Sequence, residues 1–63
     1  MSAIDALLRA WIDERDRYVR TSATCLAAGE LELSALWHRK ANELTERIAQ
    51  LDDARIQTQR RAA

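Results

Sequence analysis

Leu26-Ala27-Ala28-Gly29-Glu30-Leu31-Glu32-Leu33 holds the single glycine of a 63-residue chain that has no proline. Glycine can turn left-handed just past a helix without a Cβ penalty. The sequence on either side of it is free of breakers, so this stretch reads as a helix end, a tight turn and a helix start. Glu30 and Glu32 fall in the first turn of the second helix, where its partial positive charge favours carboxylates. Leu31 is placed to fold back onto Leu26, the apolar contact that often accompanies such an ending.

Upstream, Ser2 followed by Asp5 has the spacing of a capping box and marks a helix start. Ile4, Leu8, Trp11, Arg15, Tyr18, Ser22 and Cys25 then recur at alternating four- and three-residue steps. Leu7, Ile12, Val19, Ala23 and Leu26 flank that line, so the apolar stripe spans roughly 140°, wider than the ~100° of a helix resting on one surface. Such a helix touches more than one neighbour. Downstream, Leu33, Trp37, Ala41, Leu44, Ile48 and Leu51 form a narrower stripe, and Gln57 to Ala63 offers no core-forming residue.

One continuous helix in a long coiled coil is the competing arrangement, because one glycine costs only about 1 kcal/mol in a helix. Register argues against it. Ile4, Trp11, Tyr18 and Cys25 share a heptad position that continues to Glu32, Arg39 and Glu46, whereas the second segment uses Trp37, Leu44 and Leu51. The expected fold is therefore all-α, an antiparallel two-helix hairpin that dimerises into a four-helix bundle. The expected boundaries are helix one at about 2–28, a turn at 29, helix two at about 30–57 and a frayed tail at 58–63, in one domain.

Composition narrows the function classes. Chains this short bury only about 60% of their unfolded surface and commonly need a staple, a metal or a partner. One cysteine forms no internal disulfide, and no Cys/His cluster offers a metal site. No apolar run approaches the ~20 residues of a membrane span and no signal-peptide pattern is present, which points to a cytoplasmic protein. Ten basic and ten acidic residues cancel and interleave, so nothing draws the chain strongly to nucleic acid or anionic lipid. Nine of the ten basic residues are arginine and alanine occurs twelve times, a bias that fits a GC-rich bacterial or bacteriophage genome.

The residues able to carry chemistry read as structural ones. Cys25 and His38 are the only nucleophile and base to consider. A hairpin turning at Gly29 separates them by about 7 Å of helical rise, with no third group to orient either. Di-iron bundles use Glu-x-x-His, but Ala35 stands three before His38. Neither a cofactor nor a catalytic site is expected. The run Asp13 to Arg20 reads as a solvated face in which Asp13 with Arg17 and Asp16 with Arg20 are spaced for ion pairs, as are Asp5 with Arg9 and Glu43 with Arg47. Arg15, inside the apolar stripe, either lays its stem over apolar surface or pairs with a carboxylate such as Glu14 or Glu43.

Gly29-Glu30-Leu31-Glu32-Leu33-Ser34-Ala35-Leu36-Trp37-His38-Arg39-Lys40-Ala41-Asn42-Glu43-Leu44 resembles the second half of a tetratricopeptide repeat, with the turn glycine, Ser34, Trp37 and Ala41 at similar spacing. The first helix departs from that pattern at Thr21 and Cys25. There is one unit, whereas such repeats stack in threes or more. The resemblance implies a helical hairpin.

The function expected from the sequence is a small non-enzymatic helical module for protein–protein interaction and self-assembly, a homodimer that also binds a second protein. Ile4, Leu8, Trp11, Ile12, Arg15, Val19, Leu26, Trp37, Leu44, Ile48 and Leu51 are its expected interface. The alternative is a dimeric regulatory protein holding RNA or DNA through Arg17, Arg20, Arg39, Lys40, Arg60 and Arg61, against which the neutral net charge weighs.

Overall fold

A computed structural model describes residues 2–62. The chain forms two helices, α1 over Ala3–Ala27 and α2 over Leu31–Ala62, which pack against each other as a hairpin. A straight coiled coil is thereby excluded.

The turn works through backbone geometry. Gly29 has φ 79°, and no other described residue takes a positive φ. That conformation lets the Glu30 amide donate to the Cys25 carbonyl at 2.9 Å and the Gly29 amide donate to the Leu26 carbonyl at 3.1 Å. This paired pattern satisfies carbonyls that the end of α1 would otherwise leave without partners. The apolar contact expected beside it stays wet, with Leu26 58% and Leu31 65% exposed.

At the start of α1, Ser2 Oγ accepts the Asp5 amide at 3.2 Å, which is half of the anticipated capping box. The Asp5 carboxylate turns instead to Arg55. At the other end α2 continues to Ala62, beyond the expected boundary near residue 57. Gln57 to Arg61 have no apolar pattern but also no breaker, and Arg60 and Arg61 suit the negative end of the helix dipole. Ala63 lies outside the described residues.

The interior is thin. Among the described residues Leu8, Ala41 and Leu44 are the buried hydrophobic ones, joined by buried Ser22 and Ser34. The molecule measures 51 × 18 × 10 Å, and its radius of gyration is 14.9 Å against about 10.6 Å for a compact domain of this length. Its accessible surface of 4995 Å² likewise exceeds the roughly 4100 Å² of a compact monomer of this mass. Two helices side by side form a single layer, with no second layer to cover the rest of their apolar surface.

Candidate interaction surface

The two ends of the hairpin are built differently. Near the turn, Ser22 Oγ donates to the Ser34 carbonyl at 2.8 Å, and Ser34 Oγ donates to the Ser22 carbonyl at 2.9 Å. Each hydroxyl has one proton, so these two bonds use both, and the 3.1 Å approach of the hydroxyls to each other is a contact without a third proton. A side chain as short as serine reaches the opposing backbone only where the helices touch. Ala41, 2% exposed, extends the same small-residue seam.

Towards the open end the hairpin carries a groove of about 810 Å³. Leu8, Ile12, Thr45, Ile48 and Ala49 line it, with Asp5, Arg9, Arg15, Asp52 and Arg55 around them. Arg55 closes this end by donating to Asp52 at 2.8 Å and to Asp5 across the hairpin at 3.3 Å. Its hydrogen bond to Asp52 is the main reason the guanidinium binds its proton more tightly than usual; the Asp52 and Asp5 charges add to this against partial desolvation.

Arg15 donates to Asp16 through Nε at 3.3 Å and Nη2 at 3.1 Å. Its partner is thus the next residue in sequence, in place of Glu14 or Glu43. The Asp13–Arg17, Asp16–Arg20, Asp5–Arg9 and Glu43–Arg47 pairs anticipated from spacing do not form, since the described ion pairs are Arg15–Asp16, Arg55–Asp5 and Arg55–Asp52.

Aromatic residues occupy the other side of the hairpin. Tyr18 and Trp37 lie with ring centroids 5.4 Å apart, and Lys40 Nζ stands 5.8 Å over the Trp37 ring. Tyr18 donates its hydroxyl proton to Glu14 at 2.8 Å. That bond, helped by partial burial and the Glu14 charge, raises the phenol above its ordinary value against a smaller opposing effect of Arg17. A shallow polar pocket of about 230 Å³ lies beside this group, between Trp11 and Arg47.

The expected interface residues fall into three sets. Leu8 and Leu44 are already occupied inside the hairpin; Ile4, Trp11, Arg15, Trp37, Ile48 and Leu51 are half-buried; Ile12, Val19 and Leu26 are exposed. Leu7, Leu31, Leu33, Leu36 and Ile56 are also exposed and widen the apolar surface beyond the sequence reading. Arg17, Arg20, Arg39, Lys40, Arg60 and Arg61 are all exposed, but at 100° per residue Arg17 and Arg39 stand on opposite outer sides, so one hairpin does not gather them. Cys25 is half-buried and His38 exposed. Among the described residues no three His, Cys, Asp or Glu side chains stand close enough together to hold a metal ion, and no helix is long and apolar enough to cross a membrane.

No known family, curated protein or solved structure matches this chain.

Proposed function

We propose that this chain is a non-enzymatic self-assembly module whose hairpins associate in pairs into a four-helix bundle. One observation carries the reading: among the described residues eight large hydrophobic side chains are each more than a third exposed, while Leu8, Ala41 and Leu44 alone are buried. Fully burying a side chain of this kind contributes about 1.5–3 kcal/mol, so covering even part of this set outweighs the serine-lined interior of one hairpin. A second layer of two helices supplies the missing side of the core. The free thiol of Cys25 accords with work in the reducing cytoplasm. The finished bundle would then offer its outer faces to another protein.

Size-exclusion chromatography with light scattering tests this directly. The expected result is a particle of twice 7.2 kDa at micromolar concentration. A folded, helical particle of 7.2 kDa at millimolar concentration overturns the proposal.

A further inference from the structure

We infer that the second copy docks antiparallel through α1, about a two-fold axis between Arg15 and Asp16, so that the two α1 helices lie directly against each other. This rests on the self-association reading and adds the face and the direction.

Leu8, Ile12 and Arg15 line the groove from α1, Leu8 with its side chain turned into the hairpin, and at 100° per residue Asp16, Val19 and Ala23 continue the same strip. Their spacing reads the same from either end, four residues between Leu8 and Ile12 and four between Val19 and Ala23, with the ion pair midway. A two-fold contact sets a patch against a reversed copy of itself. Reversal here brings Leu8 to Ala23 and Ile12 to Val19. The second pairing sets two exposed β-branched side chains against each other, and Ala23 leaves room beside the end where Leu8 is turned into its own hairpin.

The charges agree with this direction. Arg15 and Asp16 are adjacent residues joined at 3.1 Å, a spacing that does not normally bring helix side chains to face each other. Their pairing therefore lays a positive and a negative group side by side on the strip. Reversal sets Arg15 over the partner's Asp16 and Asp16 over the partner's Arg15, closing four charges into a ring. A parallel dimer instead sets α1 over the partner's α2 and leaves this pair without an opposite. The shapes also match end to end: Val19, 49% exposed, stands near the serine seam, and the groove lies towards the open end. Antiparallel docking seats the protruding end of one copy in the hollow end of the other. An interface of standard size, about 800 Å² per partner, takes roughly a sixth of the 4995 Å² surface.

A charge exchange tests the arrangement. Arg15→Asp alone gathers four carboxylates at the axis and Asp16→Arg alone gathers four guanidinium groups, so each should weaken the dimer about tenfold or more. Mixed in equal amounts the two variants present opposite charges, and the mixed dimer should recover near wild-type affinity by sedimentation equilibrium. Asp13→Arg mixed with Arg17→Asp, on the outer face of α1, should give no such recovery. Circular dichroism checks that each variant stays helical. A monomeric wild type overturns self-association itself; a dimeric wild type whose single variants stay dimeric, or whose mixture does not recover, overturns the antiparallel α1 contact alone.

Discussion

At the scale of single residues, the seam between the helices depends on how little space Ser22 and Ser34 occupy. Ser22→Ala removes one donor but leaves Ser34 bonded to the Ser22 carbonyl, so the cost should be modest, about 0.5–1.5 kcal/mol. Ser22→Leu drives a large side chain against the opposing backbone and should cost more, about 1–3 kcal/mol. Urea unfolding at one fixed protein concentration ranks the two, and equal costs would deny the seam its role. Tyr18 offers a second measurement, because it is the only tyrosine and its phenolate absorbance is unambiguous. It should titrate above the ordinary value near 10, and Glu14→Gln should lower it. A raised folded value means that the bond stabilises the fold below the ordinary phenol titration. That contribution is lost as pH climbs through the raised value.

At the scale of elements, the turn tolerates change according to backbone conformation alone. A Cβ added at Gly29 meets no atom within 4 Å, yet φ 79° is a region that side-chain-bearing residues avoid. Gly29→Ala should therefore cost about 1–2 kcal/mol, and Gly29→Asn less, by the same urea assay. The turn was legible because one glycine stood alone between two breaker-free segments. The breadth of the α1 stripe was legible too: its central line meets α2, and its flank, Ile12, Val19 and Leu26, stays exposed. The end of α2 was not legible, because polar residues carry no periodicity from which a helix can be followed once the core stops. Arg55, given no role by the sequence pattern, is the residue that closes the open end onto Asp5, fifty positions away. No local pattern announces a contact at that distance. The serine seam was half visible: Ser22 stood out as polar within an apolar line, and Ser34 as a small residue in the repeat-like stretch, but their pairing needs the geometry of the turn. Arg15 was expected to cover apolar surface with its stem or to pair with Glu14 or Glu43; Asp16, its other neighbour in sequence, takes it instead, a choice between adjacent carboxylates that spacing does not fix.

At the scale of the whole molecule, a thin single layer implies that stability and assembly are one process. Below about 70–80 residues one core rarely supplies more than 3–5 kcal/mol, and among the described residues this one has three buried hydrophobic side chains. Melting temperature should therefore rise with protein concentration, as mass action requires of a chain stabilised by its own partner. Calorimetry across a hundredfold range of concentration checks this, and a constant melting temperature would indicate a self-sufficient monomer. Val19→Lys should remove most of that dependence while leaving the helical signal of the hairpin, since Val19 lies outside the seam.

The uneven build of the two ends also sets an order of events in time. The serine bridge joins residues only twelve apart, whereas the Arg55 clamp joins residues fifty apart. Closing the short loop loses less chain entropy, so the hairpin zips from its bend and reaches its free ends last. Breathing runs the other way. Amide hydrogens around Leu8 and Ile48 should exchange with deuterated solvent sooner than those around Ser22 and Ala41, and the ends near Asp5 and Arg55 should be the first to part when the chain is warmed.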